Sequence, residues 1–278
     1  MRYLVRTYYE GERYYGYQRQ SDVLTVEGTI INALIKTKYI KEPDTSQFRS
    51  ASRTDKEVNA LGNVFAFNTN KELVLSQVNS VLPKNKSIIC WAYANVNNHF
   101  SPRYVKWKKY WYILPVEILK QKTSLSLSEI REISMKFVGK HDFELFCKLD
   151  HRNTQRKINE INIQQQGNVV IFEFIAQSFL WEQVRRIMAY FIQYPSLNKK
   201  LQNTEFLLSF NSKKEDINLK PANPACLMLA ELYYENIHWI YDRKEIEKIN
   251  RKMCKDLKAL KQQVSQKNVI QNFFHTIN

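Results

Sequence analysis

The sequence predicts an α+β protein built from two related lobes, and a repeated order of elements is the main reason. Segments with strand-like and helix-like spacing follow one another as strand, helix, strands, helix, strand, and this order occurs twice. Such an order favours antiparallel pairing over a doubly wound sheet. We expect one lobe over 1–99 and a second over 100–237, each a mostly antiparallel sheet with helices on one face, and a basic helical extension over 238–278.

The first lobe is predicted from several strand-like segments and one capped helix. Thr25 is a typical N-cap for a helix whose apolar residues Val26, Ile30 and Leu34 lie on one face. The remaining predicted elements are strands at Tyr3–Tyr9, Phe48–Arg53, Val64–Asn68 and Ile88–Val96 and a helix at Leu75–Leu82, which stops before Pro83.

The second lobe repeats the same order of elements. Ser126 and Glu129 form a capping-box signature for a helix that runs to Val138, with Gly139 at its end. A strong apolar stripe predicts another helix over Trp181–Tyr194. The predicted strands are Lys106–Val116, a hairpin of Lys157–Gln164 and Val169–Ala176 around the turn Gly167-Asn168, and Leu227–Tyr234.

The last segment, Asp242–Lys267, is predicted to be a charged helix with an apolar stripe. The apolar residues are spaced by three or four and are Ile246, Ile249, Met253, Leu257, Leu260 and Val264. Such a stripe favours packing against the same protein or against a second copy of it. The many lysines leave a contact with RNA open.

The composition is that of a globular protein with a polyanionic partner. The chain has 42 Lys and Arg against 27 Asp and Glu, a net charge of +15, and 13% aromatic residues. A basic surface attracts nucleic acid, and aromatic rings can stack on unpaired bases. The alternative is that the aromatic residues fill the core and the lysines keep the protein soluble.

Cysteine usage and hydrophobicity predict a cytoplasmic protein. The four cysteines are far apart and form no C-x-x-C pair, so we expect no zinc site and a reducing compartment. The N-terminus lacks the apolar core of a signal peptide, and no run of about 18 apolar residues could span a membrane. We therefore expect no membrane association.

Three residues are candidates for chemistry. Asp55 lies in the polar segment 49–60, where a surface aspartate is more often a turn former than a catalyst. Arg185 borders the apolar face of its helix, so it needs a carboxylate or phosphate partner. Tyr110 and Tyr112 point to the same side of their strand. For both tyrosines, the alternative is a place in the aromatic core.

Six short motifs, spread from Tyr3 to about Tyr234, carry the most specific signal. They are Arg13-Tyr14-Tyr15-Gly16-Tyr17-Gln18-Arg19-Gln20, Ser52-Arg53-Thr54-Asp55-x-x-Val58-x-Ala60, Phe100-x-x-Arg103 with Lys109-Tyr110-Trp111-Tyr112, Gly139-Lys140-His141-Asp142-Phe143, Phe179-Leu180-x-x-x-Val184-Arg185-x-Ile187, and Cys226-Leu227-Met228-Leu229. In this order they resemble the F/Y-x-G-W-Q-R-Q, G-R-T-D-x-G-V-H-A, F-H-A-R…R-Y-x-Y, G-x-H-D-F, F-x-x-x-M-V-R-x-I and G-L-x-L motifs of the tRNA pseudouridine synthases of the TruA type. The segment around the aspartate is similar to archaeal and eukaryotic branches of that family.

Four positions depart from the family pattern. Ser52 and Glu57 stand where the family has glycines, Asn59 where it has histidine, and Tyr17 where it has tryptophan. None of them is the aspartate, tyrosine or arginine that the resemblance identifies as catalytic. The contacts with RNA are expected to differ most near Glu57, which brings an acid close to the path of the RNA backbone.

The resemblance implies a reaction and a role for each matching residue. A uridine in RNA is detached from its ribose, rotated and rejoined through carbon, without a cofactor or a metal. Asp55 is implied as the group that attacks the base or the sugar, and Arg185 as its ion-pair partner. Tyr110 is implied to stack on the uracil and to assist removal of the proton from carbon 5. Leu227 is expected to form an apolar wall.

The resemblance also implies a substrate and an assembly. It implies a basic cleft between the lobes, tRNA modified at uridines 38 to 40, and a homodimer that holds one tRNA across both subunits. We expect Arg13, Arg19, Gln20 and Arg53 to contact the RNA, since the motif from Arg13 is aromatic, basic and without a core period. Its alternative is an aromatic loop packed on its own domain. Two other functions remain open, namely a synthase for other uridines of tRNA or RNA and a non-catalytic tRNA-binding protein.

Overall fold

The computed structural model describes residues 1–151, 153–209 and 219–275. Its strands are β1 Arg2–Tyr9, β2 Arg49–Ser50, β3 Asn59–Asn68, β4 Ile88–Val96, β5 Trp107–Pro115, β6 Gly139–Asp142, β7 Gln155–Gln166, β8 Val169–Ala176, β9 Leu227–Tyr233 and β10 Ile240–Tyr241. Its helices are α1 Val26–Lys36, α2 Leu75–Val81, α3 Val116–Lys122, α4 Leu127–Met135, α5 Gln183–Gln193, α6 Lys199–Gln202, α7 Thr204–Leu207 and α8 Arg243–His275.

All of the strands in the described residues belong to one sheet, in the order β10-β4-β1-β3-β9-β5-β8-β7-β6, with β2 paired to β3. The two halves meet where β3 and β9 run parallel over two residue pairs, Asn59 with Met228 and Ala60 with Leu229. The other pairings of described strands are antiparallel. The predicted α+β class with mostly antiparallel sheets is confirmed, and the sheets of the two lobes are continuous.

In the first half the helix prediction is confirmed. Thr25 caps α1 by accepting a hydrogen bond from the Gly28 amide, and Val26, Ile30 and Leu34 are buried. The strand predicted at Phe48–Arg53 is wrong in extent, because only β2 pairs and the chain then leaves the sheet. β3 instead begins five residues before the predicted Val64, since its first residues pair in parallel with β9.

In the second half the hairpin of β7 and β8 and the capping box at Ser126 and Glu129 are confirmed. α4 ends at Met135 rather than at Val138, and Gly139 opens β6 with a φ of 111° instead of ending the helix. α5 also begins later than predicted. Its N-cap residue Glu182 has a left-handed backbone, with a φ of 62°.

The C-terminal segment returns to the first half of the sheet. β10 pairs with β4, and α8 packs against β4 with Glu245 buried and with Lys252 bound to Glu10. α8 spans 33 residues, about 50 Å of helix at 1.5 Å per residue. It continues beyond the predicted end at Lys267, and its residues from Leu257 to His275 are exposed. No helix in the described ranges combines the length and the apolarity that a membrane span requires.

Candidate active site

A cleft of about 860 Å³ opens where the two halves of the sheet meet. Its walls come mainly from five parts of the chain: the aromatic loop 15–20, the segment 50–58 that leads from β2 to β3, the strand β5, the start of α5 with the residues before it, and the start of β9. Six of the site residues predicted from the sequence line the cleft, namely Asp55, Tyr110, Arg185, Gln20, Arg53 and Leu227. Within residues 1–151, 153–209 and 219–275, no three His, Cys, Asp or Glu side chains cluster as metal ligands would.

Asp55 and Arg185 form an ion pair across the cleft. Arg185 Nη1 donates a hydrogen bond to Asp55 Oδ2 at 3.0 Å, although the residues are 130 positions apart in the chain. Arg185 Nε donates to the Ala222 carbonyl at 2.7 Å, which fixes the orientation of the guanidinium plane. The arginine side chain is only 11% exposed and that of the aspartate 28%. Arg185 was predicted to need a carboxylate or a phosphate as its partner, and in the structure that partner is the carboxylate of Asp55.

The pKa of Asp55 is raised above its ordinary value of 3.8. Burial is the main cause, because it disfavours the charged carboxylate, and the nearby Glu182 acts in the same direction. Arg185 opposes this rise by its charge and its hydrogen bond, and a hydrogen bond from Trp181 adds to the opposition. A desolvated carboxylate held by one arginine is a better nucleophile than a hydrated one on an open surface.

Tyr110 lies in the cleft on β5, with 9% of its surface exposed. Phe179 packs against its ring in an edge-to-face contact, with centroids 5.3 Å apart. Burial raises the pKa of Tyr110 to about 12, so its phenol is neutral at neutral pH. Leu227 on β9 pairs in register with Tyr112 on β5 and lines the same cleft, as an apolar wall would.

The loop that carries Asp55 is held in place by its neighbours. Tyr9 Oη and Thr54 Oγ1 are 2.7 Å apart, and the Tyr17 amide donates to the Thr54 carbonyl at 3.1 Å. Asn63 Nδ2 donates to the Ser52 carbonyl at 3.0 Å. The backbone that leads into Asp55 is therefore tied to buried residues of the first half of the sheet, which limits its movement.

Lys108 is a cleft residue that the sequence predictions missed. Its Nζ donates to Ser52 Oγ at 2.8 Å and to the Ala51 carbonyl at 3.2 Å. The signal was present in the sequence, because Lys108 precedes Tyr110 by two residues on a strand and so shares its face. Phe179 and Trp181 also line the cleft, although neither was predicted as a site residue; Trp181 was the first residue of the predicted helix and Phe179 lay two positions before it.

The predicted RNA contacts divide into two groups. Gln20 and Arg53 line the cleft, whereas Arg13 and Arg19 are absent from its walls. Arg13 pairs with Glu10 at 3.3 Å. The backbone amide of Arg19 donates to Glu27 at 3.0 Å.

The aromatic loop is only partly the exposed surface that we expected. Tyr14 and Tyr17 are buried, with their hydroxyl groups bonded to Ser87 and Ser50. Tyr15 alone of these three rings is exposed, and the Lys56 ammonium lies 4.5 Å from its centroid. The expectation of a loop open to bases was therefore wrong for two of its rings, because the hydroxyl groups find buried partners.

The departures from the family pattern now have structural descriptions. Glu57 has a φ of 69°, a left-handed conformation that favours glycine. Asn59 Oδ1 accepts a hydrogen bond from the Gly11 amide at 2.8 Å. Gly11 itself has no room for a side chain, since a Cβ there would lie 2.3 Å from the Val58 carbonyl oxygen.

Comparison with known proteins identifies the family of this chain. The family model described as "tRNA pseudouridine synthase" matches residues 133–235. Proteins called tRNA pseudouridine synthase A are similar over most of the chain. The protein from Thermococcus sibiricus is 35% identical, over 90% of this chain and 91% of its own. That from Pyrococcus furiosus is 34% identical over 93% of each chain, and that from Methanosphaera stadtmanae is 31% identical over 90% of this chain and 89% of its own. The chain belongs to the tRNA pseudouridine synthase family.

Proposed function

We propose that the chain converts uridine to pseudouridine in tRNA, at positions 38 to 40 of the anticodon stem-loop, with Asp55, Arg185 and Tyr110 as its catalytic residues. The observation that carries the proposal is the ion pair of Asp55 and Arg185, at 3.0 Å, inside a cleft that can hold a nucleotide. The relatives named tRNA pseudouridine synthase A support the reaction and the class of substrate.

The reaction exchanges one glycosidic bond for another. The bond from ribose C1′ to uracil N1 breaks, the base rotates, and a bond from C1′ to C5 forms. The proton on C5 is then removed and N1 gains a proton, so the atoms balance without a cofactor. Asp55 attacks either the base or C1′, and the bond that it forms breaks again before the product leaves: C5 displaces the carboxylate from C1′, or the carboxylate is eliminated from the base after the new C1′–C5 bond has formed. Arg185 keeps the carboxylate charged and aims it, because its second hydrogen bond to Ala222 fixes the guanidinium.

Tyr110 and Leu227 hold the detached uracil while it rotates. A neutral phenol ring and an aliphatic side chain offer a face and a wall with no charge, so the base can turn without breaking strong hydrogen bonds. Tyr110 can also take part in the removal of the C5 proton as a relay, in which its phenol oxygen accepts that proton while it passes its own proton on towards N1. Phe179, edge-to-face on Tyr110, limits the movement of that ring.

The target base must leave its stack, at a cost of a few kcal/mol, before Asp55 can reach it. Arg53 and Gln20 line the cleft and are the first candidates to hold the extruded nucleotide. Arg13 and Arg19 lie outside the cleft and would contact phosphates of the stem. The net charge of +15 supports such contacts, since a basic protein releases counterions from RNA when it binds.

The assembly and location form the remaining part of the proposal. A homodimer is supported by α8, where Leu257, Leu260 and Val264 are more than half exposed on one apolar stripe that a second copy could cover. A cytoplasmic location is supported by the cysteines of the described residues, which are all free thiols, as in a reducing compartment.

Mapping of pseudouridine in tRNA tests the assignment. Unmodified tRNA incubated with the purified chain should gain pseudouridine at positions 38 to 40, detected by chemical labelling and reverse transcription. Substrate tRNAs with cytidine at these positions serve as the matched control and should gain none. Modification only at other uridines would replace the site assignment and keep the reaction, whereas no modification in any tRNA would contradict the proposed function.

A further inference from the structure

Lys108 joins the strand of Tyr110 to the loop of Asp55. Its ammonium donates to Ser52 Oγ at 2.8 Å and to the Ala51 carbonyl at 3.2 Å, across 56 and 57 positions of the chain. Ala51 and Ser52 lead directly into the Asp55 loop, and Lys108 precedes Tyr110 by two residues on β5. The Lys108 side chain therefore connects the strand that carries Tyr110 with the segment that leads to Asp55. These two segments come from different halves of the sheet.

The setting of Lys108 is unusual for a purely structural lysine. The acceptors that the described residues offer to its ammonium are neutral oxygens, and Arg103 is a charged neighbour of the same sign. Burial is the main cause that lowers the pKa of Lys108 to about 8, and Arg103 contributes. A desolvated cation without a carboxylate is costly, and such costs concentrate at functional sites.

Ser52 lines the same cleft as Tyr110 and Lys108. Its hydroxyl oxygen accepts the hydrogen bond from the Lys108 ammonium at 2.8 Å. Ser52 also acts to lower the pKa of Tyr110, against the larger effect of burial. The serine stands where the resembling family has glycine, which has no hydroxyl to accept from Lys108.

We propose that Lys108 is a positioning residue for the isomerisation, which holds the Asp55 loop, through Ser52 and Ala51, at a fixed distance from the strand that carries Tyr110. This inference rests on the proposed function, because it assigns Lys108 a part in the same reaction. The role predicts a loss in the chemical step with unchanged binding of tRNA. A direct contact of Lys108 with a phosphate would have the opposite signature, namely weaker binding with a normal chemical step.

Single-turnover kinetics with saturating tRNA test the role. Lys108→Met should slow pseudouridine formation by at least about tenfold, since small displacements of catalytic groups cost this much or more, and should leave the Kd for tRNA within twofold. Lys108→Arg, which keeps a cation, should recover most of the rate. Ser52→Ala should also be slow, and the double variant Ser52→Ala with Lys108→Met should be no slower than Lys108→Met, because both remove the same connection.

The pH dependence of kcat distinguishes this role from a merely structural one, because a structural role would leave that dependence unchanged. The other charged and titratable residues that line the cleft are Tyr15, Tyr17, Arg53, Asp55, Lys56, Glu57, Arg103, Tyr110, Asp150, Glu182 and Arg185. Wild-type kcat should fall as the pH rises through about 8, where the Lys108 ammonium loses its proton. Lys108→Arg should keep its rate over the same range on the same tRNA, because arginine stays charged.

Two results would overturn the role. In the first, Lys108→Met binds tRNA with a raised Kd and a weaker dependence of binding on salt, while its single-turnover rate is normal. Lys108 would then be a phosphate contact. The other is additive losses in the double variant. Urea unfolding of each variant identifies loss of the fold, and Ser52→Ala then remains as the milder test. Wild-type enzyme in the same assay separates the proposed role of Lys108 from the proposed function of the chain. An inactive wild-type enzyme would contradict the proposed function itself.

Discussion

Glu57→Gly should stabilise the protein, because Glu57 occupies a backbone conformation that suits glycine. The Val58 amide donates to the Asp55 carbonyl at 3.3 Å, which closes a four-residue turn, and Glu57 is its third residue with a φ of 69°. A positive φ at this position is the pattern of a type II turn, where glycine is favoured. The acidic side chain therefore stands at a strained place beside the proposed nucleophile.

The size of the gain follows from two opposing costs. A left-handed conformation costs a residue with a Cβ roughly 1–2 kcal/mol. Glycine removes this cost but gives the unfolded chain more freedom, worth about 0.4–1 kcal/mol. We expect a net stabilisation of about 0.5–1 kcal/mol, measured as a higher midpoint of urea unfolding.

Glu57→Ala is the matched control for the backbone, since it removes the carboxylate and keeps the Cβ. If Glu57→Gly is no more stable than Glu57→Ala, the argument from backbone conformation is wrong. Glu57→Gln tests the charge separately. Glu57 lines the cleft, so removal of its charge should strengthen tRNA binding a few-fold at low salt and less at high salt.

Three further predictions concern the ion pair and the helix α8. Arg185→Lys should lower kcat by about a hundredfold or more, because one ammonium cannot bind Asp55 and the Ala222 carbonyl with the same geometry; near-normal kcat would remove the ion pair from the mechanism. The acid limb of kcat/KM should lie above the ordinary aspartate pKa of 3.8, since Asp55 must be ionised to act and its pKa is raised; a limb at or below that value would refute this. Truncation after Asp256 should leave the urea stability of the monomer unchanged, measured at a protein concentration too low for dimers, because every residue from Leu257 to His275 is exposed in the single chain. At higher concentration the truncation should convert a dimer to a monomer in light scattering, and an unchanged mass would exclude this stretch as the dimer contact.

Local patterns in the sequence predicted most of the fold. The caps at Thr25 and Ser126 and the hairpin of β7 and β8 depend on neighbouring residues, so spacing alone was sufficient. The physical cost of an arginine beside an apolar face predicted a carboxylate or phosphate partner for Arg185, without identifying it as Asp55. The resemblance to a family then brought the two residues to one site.

The parts that sequence could not supply depend on contacts between distant segments. The parallel pairing of β3 with β9 lengthens β3 and makes the sheet continuous, and nothing in the local spacing of either strand specifies it. The connection from Lys108 to Ser52 likewise joins residues 56 positions apart. The positive φ of Glu57 could not be predicted from the sequence, because glutamate seldom occupies such a turn position, whereas a glycine there would have indicated it.

The most direct test of the account is a single-turnover measurement on Asp55→Asn with unmodified tRNA. The substitution keeps the shape of the side chain and an oxygen that can accept from Arg185, and it removes the carboxylate. The account predicts a Kd for tRNA within a few-fold of the wild-type value and no detectable pseudouridine. Wild-type rates of pseudouridine formation in this variant would contradict the assignment of Asp55 as the catalytic group.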